Sequence, residues 1–169
     1  MFDKKIFALL AMTLLIALIP AVSAASSNNA SQAVTVTVKP TISISIDTNL
    51  VDFGSVDADG LSTIKNTVLT SNSNVAIDVW TRALNFVPSG ASALTLTDFA
   101  FSNGGAYTTY TNSYQILFSN IPKAPKTGAA PTKTANQRIT VPLGTDPGQY
   151  NSTVYYSAVV TGATAPKAP

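Results

Sequence analysis

The residue order predicts an all-β protein, an antiparallel sandwich of about eight or nine strands. Three observations carry this. Short runs rich in Val, Ile, Thr, Tyr and Phe alternate apolar with polar positions. Clusters of Gly, Pro, Asn, Asp and Ser separate these runs at intervals of about 8–12 residues. No apolar pattern of helical period occurs after residue 24. The chain has 169 residues and no internal repeat, enough for one domain that buries about two thirds of the surface its unfolded form exposes.

The first 24 residues read as a secretory signal peptide. Lys4 and Lys5 precede an apolar run over residues 6–18, Pro20 closes it, and Val22, Ser23 and Ala24 supply the small-residue cleavage pattern. That run is shorter than the roughly 20 residues that span a bilayer. The expected mature chain starts at Ala25, with residues 25–32 as a flexible polar arm and residues 33–160 as the sandwich. Within residues 33–46, Val34, Val36, Val38, Ile42, Ile44 and Ile46 occupy even positions and Thr35, Thr37, Ser43 and Ser45 odd ones, so one face is oily and the other polar. Pro40 interrupts this ladder without changing its parity.

Residues 51–56 form the next expected strand, ended by the turn Asp57-Ala58-Asp59-Gly60. A strand over residues 62–70 turns at residues 71–74 into Val75, Ile77 and Val79, a hairpin pattern. Leu94, Leu96, Phe99 and Phe101 read as one strand whose parity shift fits a bulge. Tyr114, Ile116 and Phe118 alternate next. Residues 122–135 are rich in Pro, Gly, Ala, Lys and Thr and read as an irregular spacer with nothing to bury. Ile139, Val141 and Leu143 resume the pattern, Asp146-Pro147-Gly148 turns, and residues 150–160 close the fold with Val154, Tyr156, Ala158 and Val160 in phase. Residues 161–169 are expected as a disordered tail. The expected core is Ile42, Ile44, Phe53, Val75, Ile77, Val79, Ile116, Phe118, Val141, Val154 and Tyr156.

Composition narrows the chemistry sharply. There is no Cys and no His, and every acidic side chain is Asp. That excludes thiol nucleophiles, thiolate or imidazole metal sites, haem ligation and every His-dependent triad. A general base near neutral pH would have to be a depressed Lys or a raised Asp, and no Ser–Lys spacing stands out. The expectation is therefore a protein without catalysis. From residue 25 onward eight Lys+Arg face seven Asp, and no basic stripe remains for nucleic acid. Membrane contact is expected only transiently, through the signal peptide.

Several residues are candidates for a site. Asp57 and Asp59, with Asp52 nearby, match the start of a calcium loop, although Asp-Gly is also plain turn chemistry; Ca²⁺ is the one candidate cofactor. Asn29-Ala30-Ser31 and Asn151-Ser152-Thr153 are acceptor patterns for N-glycosylation. Trp80, Tyr107, Tyr110, Tyr155 and Tyr156 suggest an aromatic platform for sugars, with core and edge packing the preferred account. Tyr155 alone is off the core parity, so it is expected outside.

Two stretches carry a resemblance. Phe53-Gly54-Ser55-Val56, and the run from Val141 to Tyr150 followed by Thr153-Val154-Tyr155-Tyr156, resemble the opening and closing strands of secreted immunoglobulin-like surface domains. The likeness is closest to spore-coat-U-type and related fimbrial subunits. The chain is also similar to Cys-free prokaryotic sandwich subunits that polymerise through an N-terminal strand. Either resemblance implies an immunoglobulin-like sandwich in a secreted structural subunit. The sequence departs from the fimbrial pattern in lacking its Cys pair, which puts chaperone–usher assembly in doubt.

The leading ribbon is the physical clue to function. Residues 33–46 would extend about 50 Å at about 3.3 Å each, beyond the 3–10 residues of an ordinary strand. One reading bends the chain at Pro40 and gives two short strands, one to each sheet. The other sends residues 33–39 out to complete the sheet of a neighbouring copy, with Val34, Val36 and Val38 filling its groove. Such head-to-tail donation does not close, so it builds a filament. The sequence therefore predicts an extracellular, fimbria- or pilus-like filament subunit that associates with itself or with other surface proteins. The alternative is a monomeric surface adhesin or carbohydrate-binding sandwich.

Overall fold

The computed structural model describes residues 31–168. The expected signal peptide, most of the polar arm and the Asn29 acceptor pattern lie outside the described residues. Where the sequence alternates, strands form in order: β1 (Ile44–Ile46), β2 (Gly60–Leu61), β3 (Lys65–Ser71), β4 (Ile77–Ala83), β5 (Phe99–Ser102), β6 (Thr108–Thr109), β7 (Gln115–Ile121), β8 (Thr132–Val141) and β9 (Val154–Val160). Every pairing is antiparallel. The wide sheet runs β1-β3-β8-β5-β6, with β2 also on β8, and the narrow sheet runs β7-β4-β9. The chain is thus an all-β sandwich.

The core lies between the sheets because one side of each strand is apolar. In β4 the inward residues Ile77, Val79, Thr81 and Ala83 are fully buried, and in β3 Leu69 faces them from the wide sheet. Aromatic rings fill one end. Phe99 lies edge-on to Phe53 with centroids 5.9 Å apart and packs on Phe86 at 5.8 Å and Tyr110 at 4.4 Å. Such pairs add about 0.5–1.5 kcal/mol beyond the area they bury.

The structure corrects several local expectations. Residues 51–56 form no strand: the Gly54 N–H donates to Asp52 Oδ1 at 2.8 Å, and Gly54 takes a left-handed φ of 68°. The loop still delivers Phe53 to the core. Residues 71–74 are a passage between sheets, not a hairpin, because β3 and β4 belong to different ones. The parity shift before Phe99 is made by a 3-10 turn, Leu96–Asp98, capped where the Thr95 N–H donates to Asp98 Oδ2 at 2.8 Å. Leu94, Leu96, Phe99 and Phe101 are consequently all buried. The expected spacer ends early, since β8 begins at Thr132 and Ala135 is buried at its centre.

Two expected core residues are outside. Ile42 precedes the short edge strand β1 and is 41% exposed. Ile116 is 44% exposed while Leu117 is 1% exposed, because register shifts along the β4–β7 pair change the phase. The tail is tethered where it begins: the Thr161 N–H donates to the Ala76 carbonyl at 3.0 Å and the Gly162 N–H to Asp78 Oδ2 at 3.0 Å.

Two stability predictions follow from this packing. Ile77→Ala should cost about 2–5 kcal/mol, the usual range for truncating a closely packed aliphatic side chain, whereas Ile116→Thr should shift the urea midpoint little. Similar losses at both positions would contradict the phase. Asp78 also accepts from the Asn120 N–H at 2.7 Å, and these backbone donors hold its carboxyl below the ordinary carboxylate range. A lowered folded-state value means stability that is full above the unfolded value near 3.8 and is lost as pH falls through the folded one. Asp78→Asn should lower stability at pH 7 and flatten its decline below pH 4; an unchanged acid limb would refute that role.

Candidate functional site

The narrow sheet has three strands against six in the wide one, and β7 and β9 are its two edges. β9 pairs with β4 along its whole length, Val154 opposite Ala83 through Val160 opposite Ile77, and no described strand pairs with its other edge. Val154, Tyr156 and Ala158 point inward, since they oppose the buried Ala83, Thr81 and Val79, yet all three remain half-buried. Ile44 of β1 and Phe53 of the following loop are likewise only partly buried against the core. A cavity of about 260 Å³ lies between these margins, lined by Ile46, Leu50, Phe53, Val154 and Tyr156 among others. A larger open depression adjoins it, sharing Phe53, Tyr150 and Asn151 and bordered by Asp52, Asp57 and Asp146.

The cavity floor is polar but satisfied. Gln137, 1% exposed, donates from Nε2 to Tyr156 Oη at 2.8 Å and to Thr67 Oγ1 at 3.1 Å. Burial raises the Tyr156 hydroxyl above its ordinary pKa and does the same to Tyr110, so both rings stay neutral. The Tyr110 hydroxyl lies towards Thr81 and Tyr156 without reaching hydrogen-bond geometry with any described residue.

The expected donor residues are exposed. Val34, Val36 and Val38 are 84%, 85% and 75% exposed, and residues 31–43 belong to no strand. The sandwich unit begins at Val38, and Asn74 clamps the chain on both sides of Pro40. Its Nδ2 donates to the Lys39 carbonyl at 2.9 Å and its Oδ1 accepts from the Thr41 N–H at 2.7 Å. Of the two short strands expected from a bend at Pro40, only β1 forms.

The other candidates separate. Asp57 and Asp59 form a tight turn: the Gly60 N–H donates to the Asp57 carbonyl at 2.9 Å, Asp59 has φ 62°, and a Cβ at Gly60 would sit 2.6 Å from that carbonyl. Among the described residues no three acidic side chains converge as a metal site would require. Asn151 forms a backbone bridge with Val87 through two 2.9 Å hydrogen bonds and sits at the mouth of the cavity. The five aromatics do not make one platform. Tyr110 and Tyr156 turn inward, Tyr107 lies 3.8 Å from the Arg138 guanidinium, and Trp80 and Tyr155 face outward on the narrow sheet. There Arg82 stacks 4.5 Å from Tyr155 and 5.3 Å from Tyr114, a pairing that spacing alone did not reveal. Gln137 was also missed, since a polar residue in an alternating strand carries no sign of a buried partner.

Removing the Tyr156 hydroxyl should leave a buried Gln137 donor unpaired. Tyr156→Phe should cost about 1–3 kcal/mol in chemical denaturation; no loss would mean that water reaches the amide. No protein family matches the chain, and no curated protein matches it either.

Proposed function

We propose that this chain is a secreted, non-enzymatic structural subunit of the cell surface that polymerises by strand donation. In this reading residues 33–39 of one copy pair with the open edge of β9 in the next, and Val34, Val36 and Val38 enter the groove between the sheets. What supports it is one coincidence: a single chain carries both an unpaired strand edge beside a cavity lined in part by Leu50, Phe53 and Val154 and an exposed segment with valines on alternate positions. Strand addition takes affinity from backbone hydrogen bonds and specificity from alternate side chains. A cavity of about 260 Å³ exceeds the ~150 Å³ that admits a benzene ring, so a valine side chain fits. Each valine moved out of water would contribute about 1.5–3 kcal/mol.

Sedimentation of the chain with and without residues 25–39 tests this. The mature chain should form concentration-dependent polymers, and the truncated chain should stay monomeric. A synthetic peptide covering residues 31–41 should raise the melting temperature of the truncated chain. Unchanged polymers after truncation would overturn donation, and a monomer in both cases would favour the adhesin alternative.

A further inference from the structure

The two ends of the sandwich differ in charge. Register fixes which residues share an end. Ile77 pairs with both Val160 and Ile121, Ile44 pairs with Ser71, and the Ala124 N–H donates to the Ser73 carbonyl at 2.8 Å. The chain leaves Lys39 at that same end, held by Asn74. Lys39, Lys123, Lys126 and Lys133 are exposed there. The nearby acids are occupied, Asp78 by the Asn120 and Gly162 N–H groups and Asp47 by the Val68 N–H. The opposite end contains the Val87–Asn151 bridge and the Gly60–Val141 pair. Asp52, Asp57, Asp59 and Asp146 are exposed there, and three of them border the depression that opens into the groove. The cations in that half sit on strands: Arg82 and Arg138 lie against tyrosine rings and Lys65 is half-buried.

We propose that the basic end of one copy seats on the acidic rim of the groove in the next, delivering the donor segment antiparallel to β9. This rests on the strand-donation reading and adds its orientation and driving field. From residue 25 the net charge is close to zero, with eight Lys+Arg against seven Asp, so repulsion between copies is weak and the segregation dominates. Opposed patches of this kind raise association rates about 10- to 1,000-fold at low ionic strength. The geometry then fixes direction. β9 runs from the acidic end to the basic end, from Val154 to Val160. A segment entering from a neighbour seated on the acidic end has Lys39 near Val154 and residue 33 farther along. Opposed residues in an antiparallel pair share a face. The three valines therefore reach the groove opposite residues that face it: Val38 opposite Val154, Val36 opposite Tyr156 and Val34 opposite Ala158.

Two reversed chains test the field. Lys123→Asp/Lys126→Asp/Lys133→Asp makes both ends net acidic, and Asp52→Lys/Asp57→Lys/Asp146→Lys makes both ends net basic; all six side chains are exposed, so folding should be unaffected by circular dichroism. Light scattering should show each reversed chain assembling at least about 10-fold more slowly than the unmodified chain at low salt. An equimolar mixture of the two should recover most of that rate. The unmodified chain itself should slow between about 0.02 and 0.5 M salt. A salt-independent rate, or a mixture as slow as its components, overturns the end-to-end docking while leaving donation intact if truncation still abolishes assembly. Truncated chains that assemble with the same salt dependence and the same rescue overturn donation and keep the docking. For direction, the absence of native Cys makes cross-linking clean: copies carrying Val38→Cys should form disulfides with copies carrying Val154→Cys and not with Val160→Cys, and the reverse preference overturns the antiparallel register.

Discussion

A three-stranded sheet cannot cover a sheet of twice as many strands, and the rest of this structure follows from that mismatch. β4 sits in the middle of the narrow sheet with a partner on each side, and its inward residues are fully excluded from water. β7 and β9 have one partner each; β7 still buries Leu117 and Ile121, whereas the inward residues of β9, Val154, Tyr156 and Ala158, stay half-buried. The loop after β1 covers part of the gap by placing Phe53 against Phe99. What stays open is a strip bounded by unpaired backbone on one side and apolar side chains on the other. Natural sheets normally shorten, charge or cover such an edge because it invites pairing with another chain. Here seven residues of β9 carry no charged side chain at all.

Much of this was legible in the residue order where burial was uniform along a strand. The alternation of Val75, Ile77 and Val79 and of Val154, Tyr156 and Ala158 placed the inward faces of β4 and β9 correctly, because both strands keep a single phase. Legibility failed where phase changes within an element or where tertiary pairing overrides local pattern. Ile116 and Phe118 share a parity, yet the register shifts opposite β4 bury Leu117 and expose Ile116. Thr132 to Ala135 look like spacer because small and polar residues dominate, but β8 lies between β3 and β5 and needs little side-chain volume there. The alternation of Val34, Val36 and Val38 was visible in the residue order. The groove was not, since it arises from the count of strands in each sheet, which no local pattern encodes.

The groove's polar floor limits what can occupy it. Gln137 spends its amide donor on Tyr156 and Thr67, so an apolar side chain entering above them displaces no hydrogen bond. In the proposed donation, Val34, Val36 and Val38 are the side chains that would meet this floor. Arg82 differs: its guanidinium stacks on Tyr114 and Tyr155, and its buried Nε has no hydrogen-bond partner among the described residues. Inner and outer faces of β9 are in this way chemically distinct.

In the proposed assembly, direction favours a neighbour's groove over the copy's own. The chain leaves the sandwich at the basic end, through Lys39, while β9 runs towards that same end. For a copy to complete its own sheet, residues 33–39 would have to run beside β9 from the acidic end to the basic end, giving a parallel pair in a sheet that is otherwise antiparallel. Parallel ladders have slanted hydrogen bonds and are slightly less stable per residue. A neighbour seated on the acidic end presents the same residues in the opposite sense and extends the existing antiparallel ladder. The difference per residue is small, but it accumulates along β9 and adds to the attraction between unlike ends. In that proposal, chain direction and charge favour the same arrangement, an open head-to-tail series.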